Sequence, residues 1–388
     1  MMRVFLLMAA FMAALGSANL VVAETTVKGR PVLILDGERA QLVIDLKGGS
    51  IASFHLNSHG VNPLEWGRER ADLGPSAMGH FLCLDRWASV SQAEAANGMP
   101  GHGEASAVEW RVLRGPESRD GFIEAEMTAS LPLAGFEVRR LIRLAVDRAF
   151  FAVREEVENT GKLGRIYNMV QHPTIGPPFL DETTVVDANA RKGYMAYSPM
   201  PNPEKPTVFW PEARKLASGE EVDMRYLKDD DDPTNAGYSF DTEYAWITAS
   251  AANKGLLIGY IWKTAEYPWL NIWRSSKEGK PIARGLEFGT TSLPLTPEAL
   301  VAKGKIFDIP LFEFIDAGQT IAKDYAAFLF EVPSGYEGTE QVAHDDGRLI
   351  VRPRGTRSDR GRALDAVDGD IDRADADLVM EISGLFID

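Results

Sequence analysis

Phe136-Glu137-Val138-Arg139-Arg140-Leu141-Ile142-Arg143-Leu144-Ala145 is the stretch on which the fold turns. Apolar and charged residues interchange over short steps, the signature of a half-buried β-strand. Phe136, Val138, Leu141, Ile142 and Leu144 mark the face expected inside. Arg139, Arg140 and Arg143 mark the face expected outside. Residues 130–135 lead into this strand. Residues 150–157 alternate again and stop at Asn159-Thr160-Gly161, a turn. The same pattern runs through the N-terminal part. Residues 31–35 and 40–45 read as strands around Asp36-Gly37, a turn pair. Lys47-Gly48-Gly49-Ser50 turns again before a strand over residues 51–56. Turns recur at intervals of about ten residues. No window keeps helical apolar spacing over several turns, and residues 320–330 are the nearest candidate, read as one helix or a strand pair. The expectation is an all-β protein, a large antiparallel β-sandwich with Pro/Gly-rich loops.

The chain has 388 residues, 45% hydrophobic and 25% charged, enough for a sizeable core. Its net charge of -15 repels phosphate backbones, so nucleic acid is not an expected partner. Arg3, the apolar run over residues 4–15 and the small residues Val21-Val22-Ala23 before Glu24 form the pattern of a cleaved secretory signal peptide. No membrane span is expected once it is removed. The one cysteine, Cys83, allows no internal disulfide, which fits a bacterial periplasm, or secretion, better than an animal extracellular fluid. The domain reading is a signal peptide over 1–23, a β-sandwich domain over 24–352 and a charged, Gly/Asp-rich appendage over 353–388.

His172 stands directly before Pro173 in Ile166-Tyr167-Asn168-Met169-Val170-Gln171-His172-Pro173-Thr174-Ile175-Gly176. A proline biases its predecessor toward extended backbone, so His172 is expected to end a strand and face a cleft. His102 lies between Gly101 and Gly103, where no neighbouring side chain blocks a ligand; it reads equally as a surface histidine. Glu287, between Leu286 and Phe288, must point away from them if they are core. That puts it on the opposite face of its strand. Arg86 in Asp85-Arg86-Trp87 reads either as a ligand-binding cation or as a structural ion pair. Trp269 and Trp273 share a strand face, either as an aromatic stacking platform for a ligand or as core.

Taken together these residues resemble the galactose mutarotase-like superfamily, the aldose 1-epimerases and their relatives. The resemblance rests on Gly48-Gly49-Ser50-Ile51-Ala52-Ser53-Phe54 with Asn62-Pro63-Leu64 after it, His102-Gly103 followed by Trp110, Asn159-Thr160-Gly161, the His172 segment, and Leu286-Glu287-Phe288-Gly289, in that order. It covers roughly residues 30–350. It implies a β-supersandwich that binds a sugar or sugar derivative on its concave face, without metal or cofactor. It also implies Glu287 as general base, His172 as general acid and His102 as the residue that helps hold the ring oxygen. The implied activity is anomer interconversion by acid–base ring opening; the alternative is a non-catalytic carbohydrate-binding protein on the same fold. The chain departs from the pattern at Glu104-Ala105-Ser106 and at Pro173-Thr174-Ile175-Gly176, which marks a divergent branch with an altered pocket.

Overall fold

The computed structural model describes residues 25–68, 71–196, 202–228, 230–355, 376–382 and 384–387. The expected signal peptide lies outside these residues. Two large sheets dominate. One has eleven strands, in the order Thr25–Val27, Arg30–Asp36, Ala40–Asp45, Ile51–Leu56, His80–Leu84, Met169–Ile175, Lys280–Gly289, Trp269–Lys277, Asn235–Ser239, Lys192–Met195 and Val208–Phe209. The other has eight, with Tyr244–Ala251, Leu256–Lys263, Thr320–Glu331, Phe150–Asn159 and Phe136–Ala145 at its centre. The strand pairings within both are antiparallel. The architecture is the antiparallel all-β sandwich expected from the alternation, and residues 320–331 form one strand rather than a helix.

The two sheets close on a common core. Leu42, Leu82, Met169, Leu286 and Phe288 enter it from the larger sheet; Met127, Val138, Ile142, Val153 and Trp262 enter from the smaller. Each fully buried side chain of this kind contributes about 1.5–3 kcal/mol. Side chains alternate between faces, so the intervening residues of the larger sheet point away from the core. That outer face carries the chemistry described below.

Two expectations are corrected here. The strand of His172 does not end at the proline. It runs from Met169 to Ile175 with His172 in its middle. Pro173 pairs with His80 on one side, and on the other the ladder resumes at Thr174 with Gly285. A missing N–H is tolerated where the ladder already has a gap. The inner face of the Phe136–Ala145 strand follows strict period two, so Arg140 points inward and is 2% exposed, whereas Leu141 sits on the opposite face and packs against a second cluster. Buried Arg140 is neutralised by Glu155, 2.6 Å away, and bonds the carbonyl of Gly49. Its guanidinium lies 4.4 Å from the centre of the Trp110 ring. That indole crosses directly over Gly49, where an added Cβ would come within 2.3 Å of the ring.

The other face of the eight-stranded sheet is covered by a third layer, Thr339–Asp345, Arg348–Pro353 and Leu378–Glu381. Val342, Leu349, Val351, Ile382, Leu385 and Ile387 pack there against Phe122, Phe150, Trp246 and Phe328. The C-terminal stretch thus contributes a strand and three buried apolar residues, while residues 356–375 lie outside the described chain.

Candidate active site

The site is written across neighbouring strands of the eleven-stranded sheet. His172 pairs with Phe81. The register that sets Gln171 against Phe288 and Thr174 against Gly285 places His172 opposite Glu287. Glu287 in turn pairs with Asn271. Residues opposite each other on an antiparallel pair have Cβ atoms about 4.5–5.5 Å apart on the same face. Leu286 and Phe288 turn into the core, so Glu287 turns outward as its parity required.

His172 Nε2 lies 3.2 Å from Glu287 Oε1, and both side chains are almost fully buried. Phe81 stacks on the imidazole with ring centres 4.2 Å apart and planes 21° from parallel. Its Nδ1 is 2.9 Å from the hydroxyl of Thr174. The other carboxylate oxygen, Oε2, accepts a 2.8 Å hydrogen bond from the indole N–H of Trp87. Gly285 leaves room for this carboxylate, since a Cβ there would lie 2.6 Å from Oε1.

Burial governs the electrostatics. It pushes the Glu287 carboxyl up to about 8, with the Trp87 and Asn271 hydrogen bonds pulling the other way. Burial also holds His172 well below the ordinary imidazole range, reinforced by neighbouring His102. Both shifts disfavour charge. At neutral pH the pair therefore carries one proton between Oε1 and Nε2.

His102 approaches from a turn. Gly103 has φ +73°, and a Cβ there would lie 2.0 Å from the carbonyl oxygen of Leu84, so the turn is clamped against the sheet. The His102 ring meets His172 edge to face at 5.5 Å. Its Nδ1 is 3.4 Å from Cys83 Sγ, and its Nε2 is 3.5 Å from a guanidinium nitrogen of Arg68. Burial, then Arg68, lower it to about 4, so it is a neutral imidazole at pH 7. Trp273 borders the pair, 6.1 Å from the His172 ring, and Trp66 meets Trp273 at 6.0 Å.

The structure thus brings His172, Glu287, His102 and Trp273 together. It does not bring Arg86 or Trp269 to them. Arg86 is held by Asp85 at 2.7 Å and Glu94 at 2.6 Å, the ion-pair arrangement. Trp269 does share the outer face with Trp273, but Leu293, Leu300 and Leu311 bury it completely, and its indole N–H donates to the carbonyl of Pro310. Strand parity predicts a shared face; it carries no information about a later segment crossing that face. Trp87, Asn271 and Arg68 escaped the sequence reading. Asn271 could have been found, since it lies midway between the two tryptophans and so must share their face. Trp87 had no signal beyond its place beside Arg86.

No family model matches the sequence, and no curated protein matches it. Solved structures do. The Slr1438 protein from Synechocystis sp. PCC 6803 is similar with a TM-score of 0.56 and 12% identity, over 78% of this chain and 96% of its own. A galactose mutarotase related enzyme from Lactobacillus acidophilus gives 0.53 and 12%, over 78% and 98%. A galactose mutarotase-like protein from Clostridium acetobutylicum gives 0.53 and 12%, over 78% and 96%. At such identities the likeness is one of fold, and this chain is built on the galactose mutarotase-like β-sandwich.

Proposed function

We propose that the protein interconverts the anomers of a reducing sugar by acid–base ring opening at Glu287 and His172. The observation that carries this reading is the 3.2 Å approach of Nε2 to Oε1 on a buried, aromatic-walled patch. The two oxygens that exchange protons in mutarotation, the anomeric hydroxyl and the ring oxygen, are bonded to the same carbon. An acid and a base that serve them must therefore be immediate neighbours. Glu287 takes the proton of the anomeric hydroxyl while His172 gives its Nε2 proton to the ring oxygen. The bond from the anomeric carbon to the ring oxygen breaks, and the carbon–hydroxyl bond becomes a carbonyl. Rotation about the neighbouring C–C bond exposes the other face. The ring hydroxyl then adds back, and both protons return. Transfer of the shared proton from Oε1 to Nε2 makes the carboxylate–imidazolium form that starts this cycle without changing the charge of the site. His102 stands beside His172, and Arg68, which donates to His102 Nε2, adds a donor toward the sugar oxygens.

A purely carbohydrate-binding protein predicts the reverse arrangement: Arg86 and both tryptophans at the groove, and a catalytic candidate turned away. The observed geometry supports the enzyme. In Glu287→Gln, anomer exchange followed by NMR on a panel of aldoses is expected to fall by about 10²–10⁴-fold, the span of general acid–base catalysis, with sugar binding kept. A wild-type protein no faster than spontaneous mutarotation on any of them would overturn the reading. We also propose export with cleavage after Ala23, which the mass of the mature protein from a bacterial periplasmic fraction tests.

A further inference from the structure

The catalytic reading leaves a large cavity unused. It has a volume of about 800 Å³ and lies over the strands at residues 30–56. That is within the roughly 300–1,000 Å³ of ligand pockets, and more than one hexose needs once the dyad holds the reacting ring. On the foundation of the proposed mutarotase activity, we infer that this cavity is a trough for the second and third units of a neutral oligosaccharide whose reducing end sits at His172 and Glu287.

Position is the first argument. Val43, Ala52 and Ser53 line the trough. Only the His80–Leu84 strand separates the Ile51–Leu56 strand from that of His172. Two strand spacings amount to about 10 Å at the Ile51–His80 bridge that joins these strands, so a chain leaving the dyad across the sheet heads toward the trough. Trp66 joins the two regions. It lines the trough, and its ring lies 6.0 Å from both Phe81 and Trp273, the two rings that flank His172.

Chemistry is the second. The charged groups in the lining cancel. Arg30 and Asp45 form a closed pair through two 2.8 Å bonds, and Lys28 and Glu65 are of opposite sign. Burial lowers His55 below its usual range, which leaves it neutral at pH 7. The lining therefore carries no net formal charge to attract an ionic ligand. Val32, Val43 and Ala52 make an apolar floor suited to the C–H faces of pyranose rings. The hydroxyl–imidazole pair of Ser53 and His55, 2.9 Å apart, offers hydrogen bonds to sugar hydroxyls.

Gly60 borders the trough, and a Cβ added there meets no atom within 4 Å. Gly60→Trp therefore obstructs the trough without displacing the fold. The test measures anomer exchange by NMR for glucose, galactose and mannose and for reducing trisaccharides with α-1,4, β-1,4 and β-1,3 linkages. For wild type, kcat/KM is expected to be at least about tenfold higher on one of the trisaccharides than on its parent sugar, equivalent to about 1.4 kcal/mol. In Gly60→Trp that trisaccharide value falls to the level of the parent. Equal values for both lengths in wild type, or a gain that survives Gly60→Trp, would overturn the trough. If neither length exchanges faster than the spontaneous rate, the mutarotase reading fails separately. The trough is then judged by calorimetry with the same trisaccharides: binding weakened at least about tenfold in Gly60→Trp upholds it, and absent or equal binding overturns it.

Discussion

The proton between His172 and Glu287 belongs to a pair, since burial pushes the carboxyl up and the imidazole down. The working form holds one proton. A second enters only well below the usual histidine range, and the single one leaves near pH 8. Anomer exchange should thus be level through neutral pH and fall above about pH 8. Trp87→Phe removes a bond that favours the carboxylate. A hydrogen bond to a charged group is worth about 1.5–3 kcal/mol, or roughly 1–2 pH units at 1.36 kcal/mol each. The alkaline limb of kcat/KM should move up by that amount, and a limb that stays in place would show that Trp87 only packs. At this scale the sequence was informative about Glu287, because two apolar neighbours dictate its face. It was silent about Trp87, whose role depends on a turn that returns it 200 residues upstream of its partner.

Among the elements, the Met169–Ile175 strand is held from behind as well as in front. Gln171 faces the core beside His172. It donates to Glu155 at 2.6 Å and contacts His80 at 3.1 Å; Glu155 in turn holds Arg140. Arg140→Met leaves the Glu155 carboxylate buried and unpaired, a loss of about 3–5 kcal/mol expected in urea unfolding. Adding Glu155→Gln removes the orphaned charge and should recover part of it, whereas simple additivity would mean that the two do not interact. Alternation alone located this strand and its neighbours. It failed on Arg140 because an arginine was assumed to be outside, while strict period two and a carboxylate on the adjacent strand put it inside. Pro173 misled in the same way. Its rule concerns a local backbone preference, and the continuing ladder at Thr174 is a tertiary fact.

For the whole molecule, four of the buried groups through which pH acts pull in opposite directions. His80 is lowered to about 3, by burial first and then by Arg140; His102 and His172 are lowered too. The unfolded chain therefore binds more protons at these histidines below about pH 6.5, and stability falls as pH drops through that range. Glu287 is raised, so the folded chain binds the extra proton between about pH 4.5 and 8, and stability falls as pH rises there. The three histidines outweigh the one carboxyl in acid, which places the stability maximum contributed by these groups near roughly pH 7 in urea titrations. A maximum below about pH 5 would contradict it. Deleting residues 376–388 uncovers the partners of Ile382, Leu385 and Ile387. At about 1.5–3 kcal/mol for each fully buried apolar side chain, the urea midpoint should drop clearly; an unchanged midpoint would mark this layer as dispensable. Composition pointed to a charged tail, and the few apolar residues at its end were too sparse to announce a layer. One further consequence follows from the dyad lying across two strands in direct opposition. A slip of one residue between those strands would send Glu287 to the core face and His172 against an apolar neighbour. The proposed activity would thus proofread assembly: a molecule that exchanges anomers has these two strands in register, and exchange per mole of protein measures the correctly paired fraction of any refolded preparation.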